Sequence, residues 1–144
     1  AIGISPDGTD VYVTYTNFLQ PWQSTTAAAR QANVVVRHAD VAKPAGTIGP
    51  FSDLERDGTG DARGSACNNF VCEFLGDYNY AVATRDRGIT VANDVRNAAD
   101  CPAVDAYRQS LLDGNPIARP APNVDCPANW GNSDIFGGAF ADPS

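Results

Sequence analysis

The residues best suited to chemistry fall in two consecutive stretches. Phe74-Leu75-Gly76-Asp77-Tyr78-Asn79-Tyr80 offers Asp77, Tyr78 and Tyr80, and Val91-Ala92-Asn93-Asp94-Val95-Arg96 offers Asp94 and Arg96. A carboxylate, a phenol and a guanidinium on neighbouring strands combine a proton acceptor, a hydroxyl and a forked cation. Basic charge is carried by nine arginines and the single Lys43. Arg37, Arg85 and Arg96 could therefore grip a carboxylate through paired, parallel N–H···O bonds. The same residues also fit a plainer arrangement, in which Asp77 caps a turn and Asp94 pairs with Arg96 to hold the fold.

Three other groups have the right types. Asp53 and the run Glu55-Arg56-Asp57-Gly58-Thr59-Gly60-Asp61 place Asp53, Glu55, Asp57 and Asp61 around glycines. Calcium, the one cofactor the sequence suggests, takes six to eight such oxygens on a bent loop, although the full EF-hand order is absent. A solvated Asp/Gly turn has the same composition. His38 stands alone within an apolar strand, without a neighbouring nucleophile, and reads as a structural histidine. Cys67, Cys72, Cys101 and Cys126 form no CxxC pair, which excludes zinc-finger spacing. Cys67 and Cys72 flank a four-residue turn, while Cys101 and Cys126 sit in matching Asp-Cys-Pro-Ala contexts. The economical pairing is 67–72 and 101–126, which implies an oxidising, extracellular compartment.

The elements that must position these groups are short strands. Ile2–Ile4 and Asp10–Thr16 flank the turn Ser5-Pro6-Asp7-Gly8-Thr9, and Val11, Val13 and Tyr15 alternate with Tyr12, Thr14 and Thr16. Asn33–Asp40 is a continuously apolar strand, as expected where both faces are covered. Residues 43–72 read as a long loop. Residues 74–84 and 89–94 form a second hairpin across Arg85–Gly88. Ala103–Leu112 is the one short helix, with Asp100 as N-cap, Gly114 as stop, and Val104, Tyr107, Arg108 and Leu111 on one side. Asp134–Phe140 closes the chain. Hairpins with Gly/Asp turns and long loops predict an all-β fold, with a propeller favoured over a sandwich or barrel.

Composition narrows the function. The net charge of −7, dispersed along the chain, argues against nucleic acid as partner. No apolar run reaches the ~18–20 residues that span a bilayer, so no membrane partner is expected. The chain lacks methionine and opens inside an apolar run, which reads as a piece of something longer.

Two segments resemble a known family. Ser5-Pro6-Asp7-Gly8-Thr9-Asp10-Val11-Tyr12 resembles the inner hairpin of many propeller blades. Phe74-Leu75-Gly76-Asp77-Tyr78 followed by Val91–Arg96 is similar to a pattern in secreted, sialidase-like BNR-repeat β-propellers, and Asn132–Gly138 resembles the end of such chains. Ala92 stands where that family has tryptophan, and a full Asp-box is lacking. The resemblance implies a partial β-propeller of about two blades. Residues 1–50 would supply the first blade's strands, 51–73 a loop, and 74–144 a closing blade with a long disulfide-braced insertion. It further implies glycan binding or hydrolysis at the channel mouth. Asp77, Tyr78 and Arg96 would then be catalytic, the tyrosine acting as nucleophile beside a carboxylate base, and Arg37, Tyr80, Arg85 and Asp94 would bind substrate. The alternative is a non-catalytic extracellular scaffold or fibre-forming protein. On either reading, the partners are the remaining blades of the parent protein or copies of this chain.

Overall fold

The computed structural model describes residues 1–76 and 79–144, with the backbone but not the side chain of Asp57. Its first turn follows from the Ser-Pro-Asp-Gly sequence. Gly8 takes φ +72° and its N–H donates to the Ser5 carbonyl at 2.9 Å, while the Ser5 hydroxyl accepts from the N–H groups of Thr9 and Asp10. That turn joins β1 (Ile2–Ile4) to β2 (Asp10–Phe18). β2 pairs antiparallel with β3 (Gln31–Ala42) from Asp10 opposite Asp40 to Phe18 opposite Ala32. β3 then pairs at its end with the short β4 (Thr47–Ile48) and along its length with β5 (Ser52–Asp61). The sheet is thus a meander, β1-β2-β3-β5, with β4 beside it. Val35 and Val36 are both fully buried, so β3 is covered on both faces as its apolar run predicts.

The second sheet is another antiparallel meander, β6 (Tyr80–Ala83), β7 (Arg87–Asp94) and β8 (Asp134–Ala141). On β7, Gly88, Thr90, Ala92 and Asp94 are buried and alternate with more exposed residues, so one face packs on the first sheet. The sheets approach closely enough to require glycine. A Cβ on Gly88 would lie 2.2 Å from the Tyr12 ring, and one on Gly60 would lie 2.2 Å from the Val95 carbonyl oxygen. Gly3 brings β1 against the backbone of Val82 and Ala83 on β6, where a Cβ would lie 3.1 Å away.

The stretch 51–73, expected as a loop, is instead mostly strand as far as Asp61, and it belongs to the first sheet. Residues 74–76, expected as the start of a strand, lie outside β6. Between β7 and β8 the chain carries α1 (Pro102–Leu112) and the four-residue α2 (Pro122–Asp125). Cys101, not Asp100, is the N-cap of α1. Asp100 turns instead toward Arg63, at 3.3 Å. The disulfides are Cys67–Cys72 and Cys101–Cys126. The protein is therefore mainly β, two packed sheets with few helices, and its disulfides fit an oxidising environment. Among the described residues no helix is long and apolar enough to cross a membrane.

Candidate functional site

The two sheets carry polar chemistry at opposite ends. At one end, β2 finishes at Phe18, β3 begins, β7 finishes at Asp94 and the chain passes through Gly76 toward β6. Asp94 is buried, and its carboxylate accepts from Arg96 three ways. The backbone N–H reaches Oδ1 at 3.0 Å, while Nε at 2.6 Å and Nη2 at 2.5 Å reach Oδ2. The Arg96 guanidinium also lies 4.1 Å from the centre of the Phe136 ring. Arg96 and Glu55 line a cavity of about 220 Å³ between the sheets, walled by Val36, Thr90, Ala92 and Phe136.

At the same end, a larger groove of about 630 Å³ is lined by Phe18, Gln20, Trp22, Arg30, Glu73, Phe74 and Gly76. Trp22 is 84% exposed there. Arg30 and Glu73 form an ion pair across the groove, and Arg30 also donates to the Thr25 carbonyl at 3.2 Å.

The site residues expected from sequence scatter. Asp77 and Tyr78 lie outside the described residues. Tyr80 is exposed on β6, on the same side of that strand as Val82 and away from the first sheet. Arg37 leaves β3 on the face opposite His38 and Val36. There its Nε sits 2.7 Å from Asp53 Oδ1, and Nη2 donates to the Phe51 carbonyl. Arg85 lies in the β6–β7 turn, at the far end of β6 from Tyr80. Arg37, Arg85 and Arg96 therefore do not converge on one carboxylate. The calcium set does not assemble either. Asp53 and Asp61 sit at opposite ends of β5, roughly 25 Å apart at strand rise. Asp53 is held by Arg37 and Arg56, and Asp61 by Arg63, so both carboxylates stay below the usual range against the upward push of burial. Glu55 faces the cavity, and the side chain of Asp57 is outside the description.

The opposite end holds a cluster that the sequence does not announce. Asp10 opens β2, Asp40 lies opposite it near the end of β3, and Asp142 follows β8. Their carboxylates surround His38 Nε2, at 3.3 Å from Asp10 Oδ1, 3.7 Å from Asp142 Oδ1 and 3.9 Å from Asp40 Oδ1. His38 is 2% exposed. Burial pushes the Asp10 carboxyl up, but hydrogen bonds from Thr9, His38 and Ser5 outweigh it and hold the group below its ordinary value. Tyr12, opposite His38 in register, stacks at a tilt with ring centres 4.8 Å apart. Its phenol is pushed up to about 12, by burial first and then by the negative charges of Asp142, Asp10, Asp86 and Asp40. Reading His38 as solitary missed this cluster, because Asp10 and Asp142 come from 28 residues upstream and 104 downstream and only Asp40 is local. The one signal was the hairpin register that sets Asp10 opposite Asp40.

Comparisons with family models, with curated proteins and with solved structures return no match to this chain.

Proposed function

We propose that this chain is part of a secreted, sialidase-like β-propeller and binds glycans, with hydrolysis centred on Asp77 and Tyr78. The observation that carries this reading is the aromatic groove lined in part by Gly76, next in sequence to Asp77. Phe18, Trp22 and Phe74 are exposed hydrophobic rings, the surfaces on which the apolar faces of sugars stack. Gln20, Gln23, Arg30 and Glu73 add donors and acceptors among them, which is the mixture that orients a polyhydroxylated ligand. Two consecutive antiparallel meanders packed face to face also suit adjacent blades.

A second reading is favoured by a different observation. Arg37 and Arg96 are held in ion pairs, and apolar side chains cover the outer face of the second sheet. Both features suit a non-catalytic scaffold that packs against further β-structure.

One experiment separates the two. The parent protein is titrated with a sialylated oligosaccharide and assayed for its release. Trp22→Ala should weaken binding about five- to tenfold, the loss of one stacking contact worth ~1 kcal/mol. Asp77→Asn and Tyr78→Phe should abolish hydrolysis while binding survives. Hydrolysis unchanged in those two variants removes the catalytic assignment. A natural protein that neither binds nor hydrolyses sialosides leaves the scaffold reading in its place.

A further inference from the structure

We propose that Asp10, His38, Asp40 and Asp142 form a binding site for one divalent cation of the zinc class, at the end of the sheets opposite the groove. The inference is independent of the glycan reading. One ligand atom from each residue can be chosen so that all lie within 4.8 Å of one another, slightly wider than the ~4.0–4.4 Å between opposite ligands at metal–ligand distances of about 2.0–2.2 Å, so a small inward shift of the side chains would complete one coordination sphere. Three carboxylates supply the charge, and a deeply buried imidazole supplies a nitrogen. That nitrogen disfavours calcium, which prefers an all-oxygen shell, and favours zinc, which takes imidazole and carboxylate together.

A second observation points to the same ligand. Tyr12 is fully buried, and its hydroxyl has no hydrogen-bond partner among the described residues. It leaves β2 from the same face as Asp10, and its ring lies between His38 and Gly88, whose partner on β8 is Phe140, two residues before Asp142. An orphaned buried donor on a ring that packs against the cluster's imidazole is costly unless something there gives it a partner. A cation with a bound water would give that hydroxyl a partner. The support around the ligands is of the kind metal sites require. The Thr9 hydroxyl donates to Asp10 Oδ2 at 2.6 Å, leaving Oδ1 turned to His38, and the Ser144 hydroxyl donates to Asp142 Oδ1 at 2.9 Å.

The test is metal content per chain, by elemental analysis after dialysis against Zn²⁺, with affinity by calorimetry and folding followed by circular dichroism. The expected result is one Zn²⁺ per chain, bound more tightly than Mn²⁺ or Ca²⁺. Asp40→Asn alters a residue that is mostly exposed and can be replaced without disturbing the core. Alone or combined with Asp142→Asn, it should weaken zinc binding by about 100-fold or more, and Thr9→Ala by about 10-fold, the range seen for groups that orient ligands. Asp53→Asn should change nothing. Zinc below half an equivalent on the folded natural chain, unchanged affinity in the Asp40/Asp142 double variant, or preference for calcium would each overturn the assignment.

Discussion

Arg63 is the residue at which four segments meet. Its guanidinium lies 2.9 Å from Asp61 Oδ2 at the end of β5, 3.3 Å from Asp100 Oδ2 and 3.0 Å from Asp105 Oδ2 on α1. It also donates to the Ala27 carbonyl in the β2–β3 loop at 2.8 Å. Asp105 is the buried member of this group. Burial raises its carboxyl to about 6, against the pull of Arg63 and Arg108. A carboxyl raised on folding binds more protons in the native state than in the unfolded chain. Its contribution to stability is therefore most favourable below 3.8 and declines as pH rises through about 6. Asp61, held low, acts in the opposite sense, and the stability it contributes is lost as pH falls through its depressed value. Urea unfolding of the natural protein and of Asp105→Asn between pH 4 and 7 should show the natural protein losing ground to the variant as pH rises through this window; parallel curves would show that Asp105 is not the group responsible. The contact of Arg63 with Asp105 was not legible in the sequence, where the two stand 42 residues apart. The Asp94–Arg96 pair was legible, because a spacing of two at a strand end is a local matter.

At the scale of elements, legibility tracked hydrophobic pattern. The hairpin at Pro6-Asp7-Gly8, the apolar β3, the turn before β7, α1 and the closing β8 all announce themselves through turn residues or periodicity. β5 does not. Asp53-Leu54-Glu55-Arg56-Asp57-Gly58-Thr59-Gly60-Asp61 has the composition of a loop. Its glycines serve close approach instead. Gly58 takes φ +73° near the register shift opposite Ala32 and Val34, and Gly60 lets the Val95 carbonyl come against the strand. Its charges are matched across the strand and along it, Asp53 with Arg37 and Arg56. The disulfides, by contrast, were legible from spacing and context, and their loop lengths set an order of importance. Cys101–Cys126 closes a separation of 25 residues around α1, and Cys67–Cys72 closes one of 5. In the chain-entropy account the longer loop contributes about 3–4 kcal/mol and the shorter about 2. The shorter loop has a second tether, since Arg108 donates to the carbonyls of Ser65, Phe70 and Cys72. Paired Cys→Ser replacement at 101 and 126 should thus lower the denaturation midpoint more than the same change at 67 and 72. Equal or reversed losses would mean that the loops are held by α1 and Arg108, not by the cross-links.

At the scale of the whole molecule, two sheets bury one face of each against the other and leave the rest to be accounted for. On the outer face of the second sheet, Tyr80 and Val82 on β6 lie beside Val91 and Ile89 on β7, and Ile135 lies across β8. Tyr80, Val82, Ile89 and Ile135 are between 41% and 67% exposed. These are alternate positions on three adjacent strands, so they form one contiguous apolar surface and not scattered residues. Ile2 and Ile4, both more than 60% exposed, extend the problem to β1. The edges are open as well. Among the described residues, β8 is eight residues long and pairs with β7 alone, so its other side offers a row of N–H and C=O groups to any strand that approaches. The disulfides brace the loops and cover none of this. Further β-structure, from the same parent protein or from copies of this chain, should therefore cover the Tyr80–Ile135 face. Sedimentation of the isolated chain should show self-association, and amide exchange should be fast in β6 and β8 under dilute conditions and slow in β2 and β3. Replacing Val82 and Ile135 with threonine, which keeps the strand shape and removes apolar surface, should shift the distribution toward monomer. A compact monomer with slow exchange throughout both sheets would instead mean that the described strands close this fold unaided, and the case for missing blades would fall with it.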